Sequence, residues 1–305
     1  MPLTQTEPIY SFAAFRNRLT ISGALVALTA LRIGVGRDNS VIGNDLPVLR
    51  DVFGAPLLPG ASLKGALRAQ LEALLRGVHP DMALDLLEIE KRMQKQVADL
   101  RERDDIRQKR QRGQTADADW LFSQEIWSSA YSTMIDLTFG APWIAGRLFI
   151  RDALVDRKLW FDQFEIRNGV GINRDTETAE DRLLYDYEVV PAGVRFGFEL
   201  VLENAADWQL GMILLALRPW QEGRVQIGGF RSRGLGYVQL IDPTFNFVEL
   251  HEQQPDDLLR ILCEPALLEE LGIAPAVNNV EDLKPLWYKA FRNELDRRLD
   301  EVSHA

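Results

Sequence analysis

The run LTISGALVALTALRI, Leu19–Ile33, alternates apolar with small or polar positions and is rich in β-branched and aliphatic residues. That pattern predicts a long strand. A loop rich in Gly, Asn and Pro follows to Pro59. The period then changes. Leu63, Leu67, Leu71 and Leu74 fall on one helical face and Ser62 stands at an N-cap position, predicting a helix through about Arg76. Phe122–Leu137 predicts a second helix, ending near Gly140 and Pro142, and RLFIRDA, Arg147–Ala153, a strand. Leu183–Val190 and Val194–Leu202 predict strands around a turn at Pro191 and Gly193. Asp207–Leu217 predicts a short apolar helix and Leu235–Ile241 a closing strand. Without its insertions the order is β-α-β-β-α-β, the ferredoxin-like order of an α+β domain. The expected domain covers 17–243. An acidic helical extension follows over 244–305, with helices near Pro255–Leu271 and Glu281–Val302.

The insertion at about 78–120 contains LLEIEKRMQKQVADLRERDDIRQKRQRGQ. Leu86, Ile89, Met93, Val97 and Leu100 form one stripe at helical spacing, with charge of both signs elsewhere. Three readings stay open: a partner-binding arm, a solvated helix packed on its own protein, or a partly disordered projection.

Composition narrows the class. The chain has 305 residues, 46% hydrophobic and 26% charged, as in an ordinary globular protein large enough for a core without staples. No apolar run approaches the roughly 18 residues of a membrane helix, and MPLTQTEPIY lacks the regions of a signal peptide. Cys263 is the single cysteine, which excludes an internal disulfide and a cysteine-based metal site. A cytoplasmic protein with no membrane partner is expected.

A net charge of −10 argues against nucleic acid until its distribution is considered. Thr244–Ala305 holds 13 acidic against 6 basic residues, whereas Arg16–Arg76 holds 8 basic against 4 acidic. Gly223–Gly236 carries Arg224, Arg231 and Arg233 with no acidic residue, so these two basic segments could face phosphates, although solvated surface explains such charges equally well.

Three motifs bear on chemistry. In VIGNDLPVLRD, Val41–Asp51, a loop holds Asp45 between a glycine and a proline, where it either ties a turn or does chemistry. In LPGASLKGALR, Lys64 and Arg68 lie four apart near a helix start whose free N–H groups suit a phosphate. In IGGFRSRGLGYVQL, Gly228, Gly229, Gly234 and Gly236 permit close backbone approach, with Arg231 and Arg233 beside them. This stretch precedes a strand, so the dinucleotide-binding fingerprint, which follows one, does not apply.

The order of IGNDLPVLRD, LPGASLKGALR, FGAP with RLFIRDA, GVGINRDTETA with LYDYEVVPAG, and IGGFRSRGLGYVQL resembles the RAMP superfamily of CRISPR proteins. More narrowly, it resembles the repeated backbone subunit of type III interference complexes. The resemblance covers roughly Leu19–Leu240 and breaks at the charged insertion and the C-terminal extension. It implies a modified ferredoxin-like (RRM-like) core, with a thumb hairpin at about 165–190 that displaces nucleotides of the guide–target duplex. It implies binding to CRISPR RNA and target RNA, and assembly with other subunits of the complex, including further copies. Lys64, Arg68, Arg167, Arg174, Gly228, Gly229, Arg231, Arg233 and Gly234 are the residues expected at RNA. Asp45 matches the aspartate that cuts target RNA beside each displaced nucleotide.

Such a site can be sparse, because RNA carries its own nucleophile and splaying a nucleotide aligns the 2′-OH. Asp45 is then expected as general base or as ligand of a divalent ion, Mg²⁺ or Mn²⁺. Glu188, in YDYEVVP, is a candidate second carboxylate, though its alternation with apolar residues equally suits a solvent-facing strand position. The rivals are a backbone subunit that binds RNA without cutting, a CRISPR-RNA-processing endoribonuclease, and a scaffold that binds no RNA. Processing is disfavoured, because His79, His251 and His304 all lie outside the motifs.

Overall fold

A computed structural model describes residues 12–34, 46–172, 174–175, 177, 179–250, 254–274 and 280–303. Its centre is a five-stranded antiparallel sheet. The members, in chain order, are β1 (Asn17–Ala27), β3 (Leu148–Ile150), β7 (Arg195–Glu203), β8 (Val225–Gln226) and β9 (Tyr237–Glu249), and their spatial order is β3-β7-β1-β9-β8. The short β2 (Leu57–Leu58) pairs with β4 (Ala153–Leu154), and β5 (Glu165–Ile172) with β6 (Ala179–Val189) forms a separate hairpin.

β1 is central because its alternation places Leu19, Ile21, Leu25 and Ala27 on one buried face. It stops at Ala27, six residues short of the predicted Ile33. The chain bends at Leu28–Thr29, and beyond it Leu31 and Gly34 make only isolated bridges, to Val190 and Val48. β9 errs the other way, running to Glu249 where Ile241 was predicted. Asp242 and Pro243 read as a strand end, yet they form a bulge: Ser22 pairs with Thr244 and Ala24 with Ile241, so Gly23 alone opposes two residues.

Helix α1 (Gly60–Val78) buries Leu63, Leu67, Leu71 and Leu75; Leu74, predicted for that face, is exposed. Its N-cap is Pro59, with Ser62 already inside the first turn. The predicted Phe122–Leu137 helix is two, because Thr133 and Asp136 form a capping box that starts a new one.

The insertion is folded. α2 (Leu86–Lys91) continues through a π-helical stretch, Arg92–Val97, into α3 (Ala98–Glu102), followed by α4 (Asp104–Gln111) and α5 (Thr115–Ile126). Val97, Leu100, Ile106, Ala118 and Ile126 share a small core with Trp143. This overturns the disordered projection. The π stretch also breaks the single stripe, since its wider turn moves later residues around the axis. Leu86 and Met93 stay exposed while Val97 and Leu100 are buried.

After α6 (Met134–Phe139), α7 (Asp207–Ala216) and the short α8 (Arg218–Gln221), the C-terminal region holds α9 (Pro255–Leu262), α10 (Pro265–Glu270) and α11 (Val280–Ser303). α11 packs on α7, whose residues are nearly all buried. A Cβ at Gly211 would lie 2.1 Å from the Trp287 carbonyl oxygen, and Trp287 meets Phe247 edge-on at 5.1 Å. Gly211→Leu is therefore expected to cost at least ~3 kcal/mol by overpacking. Limited proteolysis should then release the C-terminal helix, and a variant as resistant as wild type would refute this contact. Among the described residues no helix is long and apolar enough to cross a membrane.

Candidate nucleic-acid interface

The glycine-rich stretch forms a tight loop between β8 and β9. Gly228 has a φ of 80° and a Cβ there would lie 2.2 Å from the Arg32 carbonyl oxygen, so glycine is required twice over. Gly229 N–H donates to the same oxygen at 2.8 Å, and Gly236 N–H donates to the Ala30 carbonyl at 2.9 Å. The close approach anticipated for a ligand is thus used first by the protein's own backbone. Between these contacts Phe230 takes a φ of 58°, and Arg231–Arg233 form one 3-10 turn that is exposed with Gly234. Gln226 fixes the turn by donating to the Arg231 and Leu235 carbonyls, each at 2.9 Å.

The turn presents charge beside aromatic faces. Arg231 is exposed, with no acidic partner among the described residues. Arg233 donates to the Tyr185 hydroxyl, a contact that raises its pKa further, and its guanidinium lies 4.8 Å from the Phe230 ring centre. Tyr187 stands 4.7 Å from Phe230 and 6.1 Å from Tyr185, centre to centre. Tyr187 is buried and Tyr185 and Phe230 are half-buried, so these rings back the turn as a small core, and the exposed cations are what the phosphates of a nucleic-acid strand would meet.

Tyr185 and Tyr187 belong to β6, so the β5–β6 hairpin stands beside the loop. Gly169 is where the hairpin narrows: a Cβ there would lie 2.3 Å from the Tyr185 ring. Arg167 is opposite Tyr187 in register and donates to Glu165 at 2.7 Å, which raises its pKa. Arg174 is exposed in the connecting turn.

The base of β6 also anchors the chain that follows Asp45. Asp45 itself lies outside the described residues. Leu46 pairs with Tyr187, and its carbonyl accepts the Glu188 N–H at 3.1 Å. Glu188 is 4% exposed, not solvent-facing as its alternation allowed. The returning segment covers it: one carboxylate oxygen accepts the Val48 N–H at 3.0 Å and the other pairs with Arg50 at 2.5 Å. A carboxylate so engaged is placed to hold a loop rather than to take a proton.

Lys64 and Arg68 sit elsewhere. The Gly60 N–H donates to the Asp152 carboxylate at 2.7 Å, and a Cβ at Gly60 would lie 2.1 Å from the Ile150 carbonyl oxygen, so the helix start is closed by protein. Lys64 donates to the Leu148 carbonyl at 2.8 Å, and burial lowers its pKa. Arg68 pairs with Glu72 at 2.7 Å and donates to the Gly140 carbonyl at 2.9 Å. Both cations are thus bonded within the fold. They lie by β3 on one edge of the sheet, while Arg231 and Arg233 follow β8 on the other.

Among the described residues no three His, Cys, Asp or Glu side chains converge as an ion site. Asp45, the residue expected to hold a divalent ion, is not among those residues. His79 accepts the Asp81 N–H at 3.3 Å in a local turn; His251 and His304 lie outside the described residues.

Sequence reasoning missed Arg32, Arg50, Tyr185, Tyr187 and Phe230. The signal available was Tyr-Asp-Tyr, two aromatics on one face of a strand, but nothing local says what they face.

Comparison with known proteins agrees with this architecture. A model of the RAMP superfamily matches residues 24–239. A protein named CRISPR system Cms endoribonuclease Csm3, from Methanothermobacter thermautotrophicus, is 27% identical over 238 residues, covering 74% of this chain and 84% of the relative. Proteins of the same name are similar over shorter stretches. That of Mycobacterium tuberculosis is 46% identical over 56 residues, 18% of this chain and 24% of the relative. That of Methanocaldococcus jannaschii is 41% identical over 58 residues, 19% of this chain and 23% of the relative. With the match to the superfamily running from β1 through β9, this chain belongs to the RAMP superfamily.

Proposed function

We propose that this protein is a backbone subunit of a type III CRISPR effector complex, binding CRISPR RNA and cleaving complementary target RNA. The relatives' shared name, which contains both CRISPR and endoribonuclease, supports this reading. So does a ferredoxin-like core, read from the order β1, α1, β3, β7, α7, β9 and the spatial order β3-β7-β1-β9. The observation that carries it is the exposed Arg231–Arg233 turn against Tyr185, Tyr187 and Phe230 at the base of the hairpin. The guide backbone runs over that turn, and the β5–β6 hairpin, with Arg174 at its turn, reaches into the guide–target duplex.

Cleavage then follows from RNA chemistry. Once a target nucleotide is splayed, Asp45 takes the proton of its 2′-OH, and the oxygen attacks the adjacent phosphorus in line. The P–O5′ bond breaks, leaving a 2′,3′-cyclic phosphate and a 5′-oxygen that gains a proton from water. Glu188 positions the segment after Asp45.

Arg231→Glu and Arg233→Glu test the binding surface. Each is expected to weaken guide-RNA affinity about tenfold, alike for all guide sequences, because phosphate contacts carry no sequence information. Each lost contact should also lower the slope of log affinity against log salt by about 0.7. Unchanged affinity and slope in both variants would remove the guide from this loop and favour the scaffold reading.

A further inference from the structure

The chain continues past the superfamily match, which ends at residue 239, into helices α9 and α10. Arg260 ties them together: it pairs with Asp257 at 2.6 Å, and its Nε donates at 2.9 Å to the Ala274 carbonyl beyond α10. Leu258 and Leu262 lie four apart on α9, and Leu267 and Leu271 four apart at α10, so each pair forms a ridge on its helix. Leu262 is 70% exposed, and the other three are exposed as well. None of the four belongs to a hydrophobic core cluster among the described residues. Exposed leucines grouped at helical spacing, unlike ones scattered singly, mark a contact surface.

Charge says what kind of contact. Asp256, Glu264, Glu269 and Glu270 are exposed, and none has a partner among the described residues. The single cation of residues 254–274 is Arg260, which Asp257 already neutralises. Such a surface repels nucleic acid and anionic lipid. A second copy meeting it face to face would set acid against acid. The insertion of another copy, whose Leu86, Leu87 and Met93 are also exposed, offers no excess of cations, since residues 86–102 hold four acidic and four basic side chains. The complement that remains is a basic segment of another protein.

We infer that α9 and α10 form a docking surface for a basic amphipathic helix of a protein partner. The apolar side of that helix covers the two leucine ridges, and its lysines or arginines meet the carboxylates beside them. The inference does not depend on RNA binding at the glycine-rich loop.

The test uses the full chain and a labelled synthetic peptide of lysine and leucine, its leucines at helical spacing, followed by fluorescence anisotropy. The controls are a lysine–serine peptide of equal charge and a glutamate–leucine peptide of equal hydrophobicity. The lysine–leucine peptide should bind at least about tenfold more tightly than either control, and its affinity should fall as salt rises. Leu262→Ser should weaken it about tenfold, as for the loss of one buried leucine. Glu269→Lys combined with Glu270→Lys should weaken it by as much or more. These positions are exposed, so the variants should fold as wild type does, and circular dichroism checks this.

Equal affinity in wild type and both variants would mean that the peptide binds elsewhere on an acidic chain, and would overturn the inference, as would the absence of binding. Self-association that is lost in Leu262→Ser would give the face to a second copy. Phosphatidylcholine vesicles captured by wild type but not by that variant would give it to a membrane. Either result would overturn the basic partner.

Discussion

Asp45→Ala, assembled into its complex, is expected to lose about 10²–10⁴-fold in target cleavage at the positions this subunit governs, the usual contribution of a positioned general base. Guide and target affinity should stay within about twofold, since Asp45 adds negative charge and so contributes no phosphate contact. The measurement is single-turnover cleavage with saturating target, alongside binding of both RNAs. Loss confined to the chemical step means that Asp45 acts in the transition state and not in holding the strand. Cleavage at the wild-type rate at every position would make this a backbone subunit that binds without cutting. A residue that only ties its loop would instead reduce binding and cleavage together.

The architecture was legible in the sequence wherever one period dominated. β1 and α1 each bury a face that repeats every two or about 3.6 residues, and α7, buried nearly all round, was legible as a short apolar run; α1 and α7 appear close to their expected places. The misreadings share one cause: local signals cannot say what lies across a contact. Asp242–Pro243 looked like a strand end because the residue that accommodates the bulge, Gly23, is more than two hundred positions away. Lys64 and Arg68 looked free because their partners, the Leu148 and Gly140 carbonyls, arrive from distant segments. The glycine-rich loop was recognisable from composition, yet the aromatic wall beside it required β6 to be brought alongside. Arg32 carried no signal at all, since an arginine in an apolar run looks like the end of a strand.

Glu188 joins the two halves of the candidate site, and its removal should have the second largest effect. The carboxylate is buried, accepts the Val48 N–H at 3.0 Å and pairs with Arg50 at 2.5 Å. Glu188→Ala leaves that N–H without its acceptor and the Arg50 cation without its partner. The Arg50 side chain is 40% exposed, so water relieves part of the loss. A cost of about 2 kcal/mol follows for the orphaned groups, or roughly 3 °C in melting temperature for a chain of this size. Target cleavage should fall with it, because the segment after Asp45 is no longer fastened to β6. A fall in cleavage alone does not separate this positioning role from a catalytic one, but a paired substitution does. In Glu188→Gln combined with Arg50→Gln, one amide oxygen still accepts from Val48, and the two amides bond each other in place of the ion pair. That double variant should recover most of the stability and cut target RNA at close to the wild-type rate per bound complex. If it is stable but fails to cut, the Glu188 carboxylate itself takes part in the chemistry, and the site contains two acids rather than one.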